Sequence, residues 1–302
     1  MQSNIIQPNL FIPGAAKSGT TSLHELLNVH PDITMSSVKE PVFWNSESIN
    51  VASKVEWYNN LFEAKDKRIL GESTTSYMYF DNFIPNIKSH YRLNEPKFIF
   101  ILRNPIDRLY SHYWWMVGRG QEKRRLKDAI IEDTNRNFEH YKAIPDYYFH
   151  FGLYSKWIAN FYNNFKSENI KIITLEALIE DRINTLNECF EFLGVSALND
   201  VPDIVSNKSK SLRYPKIHHF LKRMASGKYT ITKFAKFIFP KSFIDNLKTQ
   251  IKNDKFLAQG KPLEYPKISD EERKEFYELY KDDVSQLKQL TKLSFSHWED
   301  FK

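Results

Sequence analysis

Two short stretches combine residue types that bind phosphate groups. The first, PGAAKSGTTS at 13–22, follows the apolar run Leu10–Ile12 and brings small residues, a lysine and hydroxyls to the start of a predicted helix. Small residues let backbone N–H groups approach an anion at a helix N-terminus. The second, RNPIDRLYS at 103–111, follows the apolar run FIFIL and contains Arg103 and Ser111. Both patterns indicate a site for an anionic ligand.

The position of Lys17 argues against an ATP site. In an ATP-binding P-loop the lysine follows the last glycine and reaches the β- and γ-phosphates, whereas Lys17 precedes Gly19 by two residues. A kinase also needs a carboxylate that helps to hold Mg²⁺ after a neighbouring strand. FIFIL is followed by Arg103 instead. Glu72 and Glu176 are carboxylates near other predicted strands, but neither matches the expected pattern of a long apolar strand that ends in Asp. A Mg-dependent P-loop nucleotide kinase is therefore the less favoured interpretation.

Four apolar runs predict the buried strands that position these residues, and helical patterns separate them. The runs are LFI (10–12), RIL (68–70), FIFIL (98–102) and IKIITL (170–175). This alternation predicts an α/β fold with three layers, in which helices flank a central parallel sheet. Ligands of such sheets bind beyond the carboxyl ends of the strands, where the strand order reverses.

Several helix ends have recognisable signals. Asn104 is a natural N-cap, Pro105 suits the first helical position and Asp107 suits the positive end of the helix dipole. Ser269 and Glu272 form a predicted capping box before an amphipathic helix. We interpret that last helix as a packing element.

Composition places the chain among ordinary globular proteins. Hydrophobic residues make up 41% and charged residues 26% of its 302 residues, which argues against disorder. The single cysteine, Cys189, lies in a predicted amphipathic helix and is expected to be a buried structural thiol. Neither a secretory signal pattern nor an apolar run of roughly 20 residues is present. We therefore expect a soluble cytoplasmic protein.

The positive charge is concentrated in one segment. The formal charge is +6, but residues 204–244 contain ten Lys and Arg and no Asp or Glu. Such a segment indicates an anionic ligand or surface nearby. Its basic and aromatic part, 217–239, fits either a flap over an anion site or peripheral contact with an anionic membrane, and we favour the flap.

The two phosphate motifs resemble the 5′-phosphosulfate loop and the 3′-phosphate motif of sulfotransferases that use 3′-phosphoadenosine 5′-phosphosulfate (PAPS). The likeness is greatest to heparan-sulfate-type and bacterial carbohydrate sulfotransferases. It rests on FIPGAAKSGTTSLHELLNVHPDI, KEPVFW, GESTTSYMY, FIFILRNPIDRLYSHYWW, FGLYSKWIANFYNNF, IKIITLEALIEDRINTLNECFEFLG and LSFSHWED. The resemblance implies a P-loop-like nucleotide-binding fold in one domain, 1–302. It also implies metal-independent, in-line transfer of a sulfuryl group from PAPS to an acceptor hydroxyl or amine.

The resemblance assigns roles to individual residues. Lys17 matches the catalytic lysine, which stabilises the negative charge that grows as the bond to the leaving phosphate breaks. Glu40 of KEPVFW matches the general base, although it could instead be a structural ion-pair partner. His24, His30 and His112 are alternative candidates for the base, because an imidazole can accept a proton, although the resemblance does not assign them this role. The donor-binding residues implied are Ala16, Lys17, Ser18, Gly19, Thr20, Thr21, Ser22, Arg103, Ser111, Lys210 and Arg213.

Departures from the family pattern concern the acceptor. Heparan-type enzymes have a lysine after the glutamate of the GE segment, where this chain has Glu72 and Ser73. A carbohydrate acceptor is expected from the resemblance, but sugars, lipid-linked sugars and small alcohols remain open, as does the oligomeric state. No nucleic-acid partner is expected. A basic cluster could bind an acidic glycan or be a solvated face: Arg119, Lys123, Arg124, Arg125 and Lys127. Three tryptophans could stack on sugar rings or belong to the core: Trp44, Trp114 and Trp115. A non-catalytic anion-binding or polysaccharide-binding protein is a further alternative.

Overall fold

A parallel five-stranded sheet is the centre of the fold. The computed structural model describes residues 5–47, 49–138, 146–202 and 265–302. The strand order is β2-β3-β1-β4-β5, and all neighbouring pairs are parallel. The strands are β1 (Leu10–Ile12), β2 (Ile33–Met35), β3 (Ile69–Ser73), β4 (Lys97–Leu102) and β5 (Ile170–Thr174).

Helices fill the connections between the strands, as the alternating pattern predicts. Short 3₁₀ turns supplement them, including Phe43–Asn45, Thr75–Met78 and Glu299–Phe301. The α-helices are α1 (Thr20–Leu27), α2 (Ala52–Asn59), α3 (Phe83–His90), α4 (Pro105–Gly118), α5 (Leu126–Asn135), α6 (Tyr154–Tyr162), α7 (Leu175–Glu180), α8 (Arg182–Leu193) and a carboxyl-terminal helix (Asp270–Thr291).

The two faces of the sheet bury different kinds of side chain. Successive residues of a strand point to opposite faces, so the run FIFIL sends its isoleucines to one side and its phenylalanines to the other. Ile99 and Ile101 pack in an aliphatic cluster with residues of α1 and α8. Phe98 and Phe100 meet Phe161 of α6 with ring centroids 5.4 and 4.8 Å apart. The three-layer α/β fold predicted from the sequence is confirmed, and the high aromatic content fills one of its layers.

The strand order reverses between β1 and β4. From β1 the chain passes through α1 to β2 at one edge, whereas from β4 it passes through α4 toward β5 at the other edge. Because β1 and β4 are neighbours whose connections leave in opposite directions, a crevice opens beyond their carboxyl ends. Both phosphate motifs begin at this crevice.

The predicted helix caps and the buried thiol are confirmed. The Asn104 side chain accepts a hydrogen bond from the Ile106 N–H at 3.0 Å, and α4 starts at Pro105. Ser269 and Glu272 form a complete capping box. Cys189 is fully buried, and burial raises the pKa of its thiol to about 12.

Two strand predictions need correction. Strand β2, Ile33–Met35, was not expected, because three residues at the edge of the sheet give too short a pattern to stand out. The run RIL (68–70) marks only the beginning of β3, which continues to Ser73. Its later residues, Gly71 and Glu72, are atypical of a strand interior and are accommodated by pairing with β1 on one side and β2 on the other.

The chain divides into two compact units. Among the described residues, the first contains those up to 110, those between 130 and 202, and 268–302; the second contains 111–129 and 265–267. The single domain 1–302 therefore stays a prediction, and the basic segment 204–244, with its part 217–239, lies outside the described residues. In the described part of the chain, no helix is both long and apolar enough to cross a bilayer.

Candidate active site

The loop after β1 is joined to β4 by backbone hydrogen bonds. The Ile101 N–H donates to the Gly14 carbonyl at 3.0 Å, and the Ala15 N–H donates to the Ile101 carbonyl at 2.8 Å. On the other side, the Met78 N–H donates to the Pro13 carbonyl at 3.0 Å. The first phosphate motif is therefore fixed against the sheet before the chain reaches Lys17.

The backbone then turns sharply into α1. Lys17 and Gly19 have φ angles of 69° and 90°. A side chain at Gly19 would be strained at that φ, and its Cβ would lie 2.6 Å from Leu175 Cδ1. Within the described residues no side chain caps α1, and its first turn has no acidic residue. The N-terminus of α1 therefore suits an anion.

Ser18 adds an unusual feature to this loop. The residue is fully buried, and among the described residues its hydroxyl makes no hydrogen bond of ordinary geometry, although the Tyr154 hydroxyl lies beside it. Buried polar groups normally have a partner, because an unsatisfied group costs free energy. A phosphate oxygen bound at this loop would supply that partner, so the loop fits the anion that the sequence predicts.

The second motif begins at the end of the neighbouring strand. Arg103 follows β4 directly and is half-buried, and Asn104 caps α4 as described above. Ser111 is eight residues further on, in α4, at the start of the second unit, where it is buried. Lys210 and Arg213, from the segment 206–215, lie outside the described residues.

Glu40 is held at the carboxyl end of β3. One carboxylate oxygen accepts from the Thr75 N–H at 3.0 Å, and the other accepts from the Thr75 hydroxyl and from Lys39 Nζ, both at 2.9 Å. The Glu40 N–H donates to the Ser73 carbonyl at 2.9 Å. The ion pair considered as the alternative role is present, yet the side chain is 38% exposed, so its carboxylate is both oriented and reachable.

A second carboxyl in β3, Glu72, is fully buried. It accepts hydrogen bonds from the hydroxyls of Thr74, at 2.7 Å, and Tyr58, and it also interacts with the Tyr77 hydroxyl. Burial raises the pKa of Glu72 to about 7. Glu72 is therefore a structural centre of the core, and both of its carboxylate oxygens are already used by hydroxyl groups of the protein.

The histidines considered as bases have different surroundings. His24 Nδ1 lies 2.9 Å from the Ser73 hydroxyl, and burial, helped by the nearby Lys39 charge, lowers its pKa to about 4. His30 Nε2 lies 2.9 Å from the Ser196 carbonyl, in agreement with a structural role. His112 is buried in the second unit.

Part of the candidate acceptor surface is used internally. Trp44 is fully buried, and its indole N–H donates to the Tyr58 hydroxyl at 2.8 Å, so it is a core residue. Within the second unit, Arg124 pairs with the buried Glu122 at 2.6 Å, and Trp114 stacks on Tyr265. These contacts leave fewer groups of this set for a glycan.

Sequence reasoning did not predict which residues support the second motif. Tyr154 of α6 and Glu176 of α7 bind the backbone around Arg103, and Asp300 binds the side chain of Asn104. These partners are 51 to 196 residues away along the chain, so no local pattern could indicate them. In the described ranges, no three His, Cys, Asp or Glu side chains are grouped as a metal site.

The parallel sheet, its strand order and the helices on its two faces define a P-loop-like nucleotide-binding fold. The sulfotransferase domain model matches residues 7–238, so the chain belongs to the sulfotransferase domain family. This match confirms the predicted family, and it favours sulfuryl transfer over the kinase alternative.

Individual relatives agree with this assignment. Mouse carbohydrate sulfotransferase 15 is 24% identical over 262 residues, covering 67% of this chain and 46% of the relative. Mouse heparan sulfate glucosamine 3-O-sulfotransferase 5 is 27% identical over 195 residues, covering 62% and 54%. The chain thus spans about half the length of the curated relatives it matches. The crystal structure of a sulfotransferase from Alicyclobacillus acidocaldarius shares the fold, with a TM-score of 0.67, 23% identity and coverage of 97% and 99%.

Glu72 and His24 should give opposite pH dependences of stability. Between pH 4.5 and 7, folded Glu72 keeps a proton that the unfolded chain releases, so stability falls as the pH rises. Between pH 4 and 6.5, unfolded His24 keeps a proton that the folded protein lacks, so stability increases as the pH rises. Each effect amounts to about 3 kcal/mol.

The variants Glu72→Gln and His24→Gln should separate these two effects in urea unfolding measured from pH 4 to 7. Relative to the wild type, stability should rise more steeply with pH in Glu72→Gln and fall with pH in His24→Gln. Glu63→Gln, which alters an exposed carboxyl, is the control. Unchanged slopes in both variants would contradict the roles of these two groups.

Proposed function

We propose that this chain transfers a sulfuryl group from PAPS to a hydroxyl group of a carbohydrate. The main support is that both phosphate motifs leave the carboxyl ends of β1 and β4, the neighbouring strands between which the order reverses. In the transfer, an oxygen–sulfur bond forms at the acceptor and the sulfur–oxygen bond to the 5′-phosphate breaks. The acceptor loses a proton, and 3′-phosphoadenosine 5′-phosphate leaves.

Lys17 supplies the positive charge at the leaving group. It stands in the turn between β1 and α1, beside the backbone N–H groups that begin the helix. As the sulfur–oxygen bond breaks, negative charge grows on the oxygen that remains with the 5′-phosphate. A cation fixed at that oxygen is more useful in the transition state than in the ground state, and it therefore accelerates the reaction.

Glu40 accepts the proton of the attacking hydroxyl. Thr75 and Lys39 fix both carboxylate oxygens, and the remaining exposure of the side chain leaves room for a substrate. A base must be within hydrogen-bond reach of the proton that it removes, and Glu40 is held at β3, next to the strand that leads to Lys17. Both groups thus belong to the same edge of the sheet.

The other loop residues bind the donor. Gly19, Thr20, Thr21 and Ser22 offer backbone and hydroxyl donors to the 5′-phosphate, with Ala16 and Ser18 in the preceding turn. Arg103 and Ser111 bind the 3′-phosphate, and Lys210 and Arg213 remain predicted ligands on the resemblance alone. The names of the mouse relatives support a carbohydrate acceptor. The cytoplasmic location stays a prediction.

Binding of the donor product tests the 3′-phosphate assignment. In calorimetric titrations with EDTA present, 3′-phosphoadenosine 5′-phosphate should bind roughly 10- to 150-fold more tightly than adenosine 5′-monophosphate. This range follows from the about 1.5–3 kcal/mol that a charged hydrogen bond contributes. Equal affinities, or binding only of ATP with Mg²⁺, would contradict the proposal.

Lys17→Ala should lower kcat about 100- to 1000-fold, because it removes a charge that acts in the transition state. The affinity for 3′-phosphoadenosine 5′-phosphate should change less than tenfold. The measurements are turnover of PAPS with a carbohydrate acceptor and calorimetry with the product nucleotide. The exposed Lys65→Ala is the matched control. Turnover equal to that of the wild type would exclude Lys17 from this role.

Glu40→Gln should lower kcat by about two to four orders of magnitude, because glutamine keeps the shape but cannot accept the proton. Nucleotide affinity should remain that of the wild type, and Glu47→Gln serves as an exposed control. Transfer at an unreduced rate would instead favour another base. If the wild-type chain binds glycans without any transfer, a non-catalytic binding protein is the better description.

A further inference from the structure

The peptide group between Arg103 and Asn104 is held at both of its polar atoms. The Tyr154 hydroxyl donates to the Arg103 carbonyl at 2.9 Å, and the Asn104 N–H donates to Glu176 Oε1 at 2.9 Å. The carbonyl and the N–H belong to one planar unit. The two bonds therefore fix the orientation of the plane from which the Arg103 side chain departs.

Both partners of this peptide are themselves fixed. The second oxygen of Glu176 accepts from the indole N–H of the fully buried Trp298 at 3.1 Å. Glu176 stands two residues after Thr174, which pairs with Leu102 at the end of β4, so the register of β4 and β5 brings the carboxylate to this peptide. Tyr154 is fully buried, and burial raises the pKa of its hydroxyl to about 12, which keeps it protonated and able to donate.

Asn104 is anchored by its side chain as well. Its amide nitrogen donates to Asp300 Oδ2 at 2.6 Å, while its amide oxygen caps α4. Arg273 bridges Asp300 and Asp107 of α4, at 2.5 and 2.6 Å. The residue after Arg103 is thus connected to two further segments of the chain.

The Tyr154 hydroxyl also lies beside the Ser18 hydroxyl of the first motif. One buried side chain therefore adjoins both phosphate motifs. A substitution there alters the support of Arg103 without removing any group that the proposed function places on the nucleotide.

We propose that Tyr154 and Glu176 are positioning residues that aim Arg103 at the 3′-phosphate of the donor, an inference that rests on the proposed function. Arginine binds phosphate through N–H groups in a fixed fork, so its contribution depends on direction. A guanidinium whose backbone is fixed loses less freedom on binding than one on a loose loop.

The test compares two nucleotides across a small set of full-length variants. Calorimetry in EDTA gives the affinities for 3′-phosphoadenosine 5′-phosphate and adenosine 5′-monophosphate. In Tyr154→Phe and in Glu176→Gln, affinity for the first should fall about three- to tenfold, and affinity for the second should stay within twofold. Tyr162→Phe, on the same helix, and Glu180→Gln, on α7, should keep the wild-type ratio.

Each other outcome overturns the inference in a recognisable way. An unchanged ratio in both variants shows that the peptide does not aim Arg103. Equal weakening of both nucleotides shows a general structural effect, and thermal melting identifies a variant that is merely unfolded, in which case the other variant decides. A wild-type protein without any preference for the 3′-phosphate overturns the proposed function itself, before any variant is compared.

Discussion

The hydrogen bonds between Ile101 and the residues Gly14 and Ala15 are the constraint on which the site depends. Strand β1 has only three residues, so its own ladder is short. These bonds extend the pairing of β1 with β4 past the end of the strand and fix the loop before it turns at Lys17. Helix α1 therefore starts at a defined place beside the carboxyl end of β4. The loop after β1 is thus organised by backbone pairing, whereas the segment after β4 is held by the side chains of Tyr154 and Glu176.

The buried Glu72 organises the other side of the site by a different principle. A carboxyl in the core is costly unless hydrogen bonds satisfy it, and the hydroxyls around Glu72 do so. Two of these hydroxyls also reach the segment that follows Glu40: the Tyr77 hydroxyl accepts from the Trp44 N–H at 3.1 Å, and the Tyr58 hydroxyl accepts from its indole. The polar core of the protein thus specifies where the segment KEPVFW lies.

Local patterns predicted the parts of the fold that local chemistry decides. The run FIFIL followed by Asn104 and Pro105 contains a strand, a cap and a helix start within eight residues, and all three are found. Strand β2 could not be predicted, because its three residues acquire strand geometry only from their neighbour β3. Likewise, the sequence indicated Arg103 but not the support that Tyr154 and Glu176 give it, since these contacts exist only once β5 and α6 have packed. The burial of Trp44 could not be predicted for the same reason. A tryptophan can stack on a sugar or pack in the core, and only the tertiary structure shows that Trp44 is a core residue.

The hydrogen bond from Asn104 to Asp300 has a consequence for protein synthesis. The two residues are separated by 196 positions, so the ribosome must add 196 residues after Asn104 before this contact can form. Contacts at such separation also form late in folding, because closing a long loop costs entropy before it gains stabilisation. A nascent chain that has already completed its sheet would still lack the anchor of Asn104.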